Sequence, residues 1–77
     1  MRRFKHHKYL LTNSKDIKFI MTLKYIKKNI YECEIYRVDN GASRIVNYTQ
    51  GQLAQKISLG IIKPISDVEI ALLLLSN

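Results

Sequence analysis

Two histidines near the start of the chain are the side chains best suited to acid–base or metal chemistry. His6 and His7 are adjacent in the sequence, and adjacent side chains point apart on both helices and strands. A metal site needs convergent ligands, and a general base needs an oriented partner. We therefore expect neither histidine to be catalytic, and we expect no metal.

One cysteine and two glutamates lie together near the middle of the sequence. Cys33 has no CxxC companion, so we expect a buried structural thiol. Glu32 and Glu34 would share one strand face, but two carboxylates provide too few ligands for a cation. A single cysteine cannot form an internal disulfide, and we see no secretory signal, so we expect a reducing cytoplasm.

The glycines offer no phosphate-binding loop. Gly41, Gly51 and Gly60 are isolated and match neither of the common nucleotide-binding spacings. A nucleophile or general base needs an oriented partner and a pocket that excludes water, and the sequence offers no such set of residues. We therefore predict that the protein is not an enzyme and needs no cofactor.

Positive charge is concentrated in the N-terminal third of the chain. The net charge is +7, and nine of the 13 Lys and Arg residues fall within residues 1–28. Such a segment attracts phosphates with strong salt dependence and little sequence information. We predict a basic N-terminal arm, residues 1–20, either ordered or flexible, before a small domain, residues 21–77. Its candidate nucleic-acid contacts are Arg2, Arg3, Lys5, Lys8, Lys15 and Lys18.

The length of the chain allows one small domain. A protein of 77 residues buries about 60% of the surface that its unfolded chain exposes. The hydrophobic fraction of 47% is too high for wholesale disorder. No apolar run reaches the roughly 18 residues that a membrane span needs, so we predict a folded protein without a membrane span.

A β-hairpin is the strongest local signal. Two β-rich runs, residues 30–38 and 43–48, flank Asn40 and Gly41, which predicts a two-residue type I′ turn. That register places Arg37 opposite Arg44, a like-charge pair that either splays into water or holds an acidic group. Arg and Tyr are frequent at binding hot spots. We predict a partner-binding surface formed by Tyr36, Arg37, Arg44 and Ile45.

The segments around the hairpin complete the predicted fold. A strand from Leu23 precedes it, although a helix over residues 14–28 also fits the pattern. Two capping boxes, Thr49 with Gln52 and Ser66 with Glu69, predict two helices after the hairpin. Between them, residues 61–65 should be extended, as a short edge strand or a linker. The sequence predicts an α+β fold, a small single domain with a β-hairpin or three-stranded antiparallel meander followed by two short helices.

The segment YTQGQLAQKISLG, residues 48–60, resembles the first helix of helix-turn-helix DNA-binding proteins over about a dozen residues. A recognition helix would then present basic or amide side chains near its N-terminus. The next helix instead offers Asp67 and Glu69, and Pro64 lies in a connection too long for the motif. We therefore do not extend the resemblance to a DNA-binding function.

The C-terminal helix is apolar nearly all round. Such a helix must be covered on most sides, and a small sheet covers only one. We predict self-association through Ile70, Leu73 and Leu74. Alternatively, residues 61–65 and the first helix enclose this helix within one chain.

These features favour a small binding protein. Frequent Ile, Lys, Asn and Tyr indicate an AT-rich genome, such as that of a Gram-positive bacterium or one of its phages. Our hypothesis is a phage or mobile-element accessory protein that inhibits a host or defence protein by occupying its surface as a dimer. The alternative is a small basic protein that binds DNA or RNA through the N-terminal arm.

Overall fold

Four strands, a helix, a fifth strand and a second helix follow one another in a computed structural model, which describes Phe4 and residues 7–76. The predicted α+β class is confirmed, with a longer meander than expected and one strand between the helices. The elements are β1 (Lys8–Thr12), β2 (Lys18–Lys27), β3 (Ile30–Arg37), β4 (Ser43–Thr49), α1 (Gln50–Ser58), β5 (Ile62–Pro64) and α2 (Asp67–Leu75).

All five strands belong to one antiparallel sheet, in the order β4-β3-β2-β1-β5. The first four strands form a meander, and β5 returns after α1 to pair with β1. Consequently β4 and β5 are the two edge strands. The segment 61–65 is therefore an edge strand at residues 62–64 and not a linker.

The sheet starts well before the expected domain boundary at residue 20. β1 lies between β2 and β5, where Tyr9 pairs with Met21 on one side and with Pro64 on the other. Tyr9 is buried because alternation along β1 directs it, like Leu11, to the face of the sheet that carries the hydrophobic core. Residues 8–20 thus belong to the folded domain. β2 is a strand, as predicted, and this excludes the helix considered for residues 14–28.

The main core lies between one face of the sheet and α1. Leu53, on α1, is fully buried among strand residues, and Cys33 is also fully buried, as expected for a structural thiol. We call this side of the sheet the α1 face. Its buried cluster consists of Tyr9, Met21, Leu23, Tyr31, Cys33, Ile35, Leu53 and Ile62.

Both helices begin at the predicted caps. The Thr49 and Ser66 side chains each accept a hydrogen bond from the backbone N–H three residues on, and each capping box is complete. After α1 the chain adopts φ +73° at Gly60, a conformation that favours glycine. Because β5 separates the two helices, the helix-turn-helix resemblance does not extend to the fold.

The hairpin is confirmed, but the predicted register is wrong by two residues. Ile35 pairs with Arg44, not with Val46, and the Arg37 N–H donates to the Ala42 carbonyl at 2.7 Å. The loop is therefore residues 38–41. A shift of two residues keeps every side chain on its predicted face.

Two features explain the longer loop. A type I′ turn needs positive φ at both central residues, whereas Gly41 has φ +74° and Asn40 is not among the residues with positive φ. The Asn40 Oδ1 instead accepts a hydrogen bond from the Ala42 N–H at 2.9 Å. In addition, Val38 is buried and donates its N–H to the Lys18 carbonyl at 3.0 Å, so the chain leaves the sheet later than predicted.

Helix α2 lies on the opposite side of the sheet, which we call the α2 face. Leu72 and Leu73 line a hollow of about 320 Å³ with Leu10 and Ile65. Leu10 alternates with the buried Tyr9, so it faces away from α1. The two helices therefore cover different faces, and α1 does not enclose α2.

Candidate partner-binding surfaces

The outer edge of β4 carries backbone groups that no described strand covers. The hydrogen bond from Arg37 to Ala42 fixes the alternation of the antiparallel ladder, in which every second residue bonds to the neighbouring strand. Arg44 and Val46 therefore direct their backbone groups toward β3. Those of Ser43, Ile45 and Asn47 point away from the sheet.

The side chains of β4 are also accessible. Arg44 is exposed on the α1 face, and Ile45 is 63% exposed on the α2 face. Arg44 makes no ion pair with any residue that the structure describes. An exposed cationic side chain and an exposed apolar side chain therefore flank the free backbone edge, one on each face of the sheet.

The other edge of the sheet differs in this respect. β5 has three residues, and Pro64 removes one backbone donor. Short edge strands that carry proline and lysine are poor templates for a further strand. Of the two edge strands that the structure describes, β4, with seven residues and no proline, is the one open to pairing.

Arg37 and Arg44 do not form the predicted like-charge pair. Arg37 forms a two-pronged ion pair with Asp39 in the loop, with Nε–Oδ1 at 2.6 Å and Nη2–Oδ2 at 3.0 Å. The hydrogen bond and the charge of Arg37 lower the pKa of the Asp39 carboxyl below its usual value. The loop itself thus supplies an acidic group to Arg37, so this arginine does not need one from a partner.

The predicted partner-binding residues divide between the two faces. Tyr36 is half-buried on the α2 face, the face that also carries Ile45, whereas Arg37 and Arg44 lie on the α1 face. Arg44 and Ile45 are thus neighbours on the edge strand β4 whose side chains lie on opposite faces of the sheet. Because Arg37 is engaged by Asp39, Arg44 is the cation available to a partner.

A cation that sequence reasoning missed lies beyond Tyr48 on α1. The Lys56 Nζ is 5.1 Å from the centre of the Tyr48 ring, within range of a cation–π interaction. The two residues border a hollow of about 330 Å³ at the end of β4. Spacing along the chain gave no signal for this contact, which depends on how α1 turns back over the sheet. The lining residues are Tyr48, Gln52, Gln55, Lys56, Leu59 and Ile61.

Helix α2 exposes most of its apolar surface. It has no buried residue, and its exposed aliphatic side chains range from 44% to 82% exposure. Two of the three predicted self-association residues, Ile70 and Leu73, are half-buried, whereas Leu74 is exposed. The exposed set is Val68, Leu72, Leu74 and Leu75.

Of the six candidate nucleic-acid residues, the three that the structure describes are not gathered in one patch. Lys8 is exposed at the start of β1, and Lys15 is exposed in the turn that follows the other end of this strand. The Lys18 Nζ lies 3.7 Å from the Asp16 carboxylate. Arg2, Arg3 and Lys5 lie outside the described residues, as does His6. The exposed cations Lys24, Lys27 and Lys28 instead lie at the end of β2 and the turn into β3.

Within the part of the chain that the structure describes, no three His, Cys, Asp or Glu residues are grouped for metal binding. None of the helices described has the length and apolarity required to cross a membrane. Comparison of the chain with protein-family models, characterised proteins and solved structures gives no significant match.

Proposed function

We propose that this chain is a non-enzymatic binding protein that acts as a dimer by occupying a surface of a larger protein. Its biological setting would be the cytoplasm of a bacterial host, as an accessory protein of a phage or mobile element that inhibits or modulates a host or defence protein. The observation that carries the proposal is the exposed apolar surface of α2.

An exposed apolar surface of this kind is unusual on a soluble monomer. Val68, Leu72 and Leu75 are 70%, 61% and 82% exposed on a helix of nine residues. Contiguous apolar patches usually mark sites of association. A helix held only along one side gains the burial that it lacks when a second copy covers the other side.

The position of Leu73 changes the predicted contact. Leu73 also lines a hollow with Ile17 and Val38, so it faces the protein's own sheet. Val68 and Leu75 lie on the side of the helix away from Leu73. Leu72 borders the hollow that contains Leu10, yet it is 61% exposed. We therefore place the subunit contact on Val68, Leu72, Leu74 and Leu75, with Ile70 and Leu73 supporting the helix from below.

Light scattering across a range of protein concentrations tests the dimer. The double variant Leu72→Lys with Leu75→Lys should remain folded and become a monomer, because both side chains are exposed in one chain. The matched control is Leu53→Lys, which should unfold because Leu53 is fully buried. A wild-type chain that stays monomeric at high concentration would contradict the proposal.

The binding role is tested by capture followed by inhibition. The full chain is used to isolate a partner from the native host, and the activity of that partner is then measured with and without the chain. We expect inhibition by the wild type and weaker inhibition by the monomeric double variant. An identified partner whose activity is unchanged at saturation would contradict inhibition.

The exposed lysines at the turn between β2 and β3 favour nucleic-acid binding as a second candidate function. Binding through such cations would be tight at low salt and would weaken steeply as salt is added. The test is a salt titration with labelled DNA and RNA, comparing the wild type with Lys24→Gln, Lys27→Gln and Lys28→Gln combined. A parallel variant replaces Arg2, Arg3 and Lys5, because deletion of residues 1–20 would remove β1.

A further inference from the structure

We propose that the outer edge of β4 binds an extended, acidic segment of the partner protein as a sixth strand of the sheet. This inference rests on the proposed function and identifies the chemistry by which the partner is recognised. In this mode of binding, main-chain hydrogen bonds supply affinity and alternate side chains supply specificity.

The backbone of β4 fits such a strand. The outward N–H and C=O groups of Ser43, Ile45 and Asn47 would form the next ladder, because the hydrogen bond from the Arg37 N–H to the Ala42 carbonyl fixes which residues of β4 face β3. Exposed edges of this length are templates for pairing unless proline, a bulge or a covering element blocks them. Along β4 the described residues contain none of these, whereas β5 is short and ends at Pro64.

The positive charge on and beside β4 favours an acidic partner segment. Residues 40–66, which include β4, α1 and β5, contain no acidic residue, and their cations are Arg44, Lys56 and Lys63. Arg44 lies on β4 itself, and Lys56 borders the end of that strand through its contact with Tyr48. A strand carrying carboxylates on the α1 face would therefore meet Arg44 near one end of β4 and Lys56 near the other. Glu32 and Glu34 of β3 lie on the α2 face, opposite Asn47 and Ile45.

A second copy of this chain fits the same edge less well. Two β4 strands paired around Ile45 would place each Arg44 opposite Val46 of the partner subunit, and β4 contains no carboxylate to offer. Both copies would also carry the net charge of +7. The edge therefore favours an acidic strand from another protein, and dimerisation through α2 leaves both β4 edges available.

The two faces define the sequence pattern of the bound segment. The residue opposite Arg44 should be acidic, and its neighbour opposite Ile45 should be apolar, because facing side chains of antiparallel strands contact one another. The preferred segment thus alternates carboxylate and aliphatic residues in an extended conformation.

The probe is a fluorescein-labelled peptide of seven alternating valine and glutamate residues, with a valine and lysine peptide of equal length as control. Fluorescence anisotropy should show at least tenfold tighter binding of the glutamate peptide. Arg44→Glu should reverse that preference. Equal affinity for the two peptides, or no binding of either at millimolar protein, would overturn the inference.

Two further measurements test the backbone contacts. Ile45→Pro removes an outward N–H that the fold does not use, and it should weaken binding of the glutamate peptide at least tenfold while circular dichroism stays unchanged. If that variant does not fold, N-methylation of the peptide replaces it. Methylation of every second peptide amide should abolish binding when the methylated amides face β4, and should not when they face solvent. Equal effects of the two methylation patterns would overturn the inference.

The outcome separates this inference from the proposed function. A partner that is captured and inhibited equally by the wild type and by Ile45→Pro would leave the proposed function intact and remove the strand contact. Loss of dimerisation and of inhibition, with peptide binding retained, would instead remove the proposed function.

Discussion

Single residues of this protein show how a local partner changes the role expected of a side chain. Arg37 is the last residue of β3, and Arg44 lies near the start of β4. Both carry a guanidinium group, yet Asp39 forms an ion pair only with Arg37. The two-pronged geometry is the strongest form of this ion pair. Because the loop carboxylate of Asp39 binds Arg37, the Arg44 side chain is left for a partner.

Burial of Cys33 leads to a prediction about alkaline pH. Burial, with a smaller contribution from the Glu32 charge, raises the pKa of this thiol from 9.0 to about 11. The unfolded chain therefore releases this proton at lower pH than the folded chain. Stability should be fully present below pH 9 and fall as the pH rises from there towards 11.

The measurement is urea denaturation at pH 8 to 10.5 on the wild type and on Cys33→Ala. The variant should have lower stability at pH 8, because it removes buried volume, but a shallower decline at alkaline pH. Tyr9, whose pKa burial also raises, contributes equally to both proteins. Parallel declines in the two proteins would show that Cys33 is not the group responsible.

At the scale of elements, the two helices share a start signal and differ in what holds them. Both begin with complete capping boxes. α1 buries Leu53 in the main core, whereas α2 buries no residue. The same capping motif therefore begins one helix that packs into the core and one that lies on the surface.

This difference predicts unequal effects of removing the two caps. Thr49→Ala should lower the free energy of global unfolding by about 1 kcal/mol, the usual effect of losing such a cap. Ser66→Ala should leave global unfolding nearly unchanged in dilute solution, because α2 can fray while the core persists. Amide exchange of α2 should accelerate in this second variant.

Urea denaturation and amide hydrogen exchange on both variants provide the check. Each serves as the matched control for the other, since the two changes remove the same kind of bond. An equal loss of global stability would mean that α2 unfolds together with the core.

At the scale of the whole molecule, the sheet joins distant parts of the chain. β1 pairs with β2 on one side and with β5, more than 50 residues later, on the other. The segment that we expected to be an arm is therefore internal to the sheet from Lys8 onward.

Removal of residues 1–20 should consequently unfold the protein. The deletion takes away β1, the first three residues of β2 and the buried Tyr9. Thermal denaturation followed by circular dichroism should show no cooperative transition. Removal of residues 1–3 is the control and should retain the transition, and a cooperatively folded 21–77 fragment would contradict this account of the sheet.

The amino-acid sequence by itself determined the features that depend on near neighbours. Both capping boxes, the strand-forming runs on either side of the hairpin and the burial of Cys33 follow from residues a few positions apart, because their interactions close within one turn or along one strand. The α+β class follows from the order of those elements.

Only the tertiary structure decided which surfaces a partner can reach. Val38 sets the register by bonding to Lys18, a residue 20 positions earlier. Pairing of β5 with β1 leaves β4 as the open edge, and packing of α2 on the face opposite α1 selects which of its leucines are exposed. These outcomes depend on contacts between distant segments, whose free energies compete across the whole chain, so no local pattern specifies them.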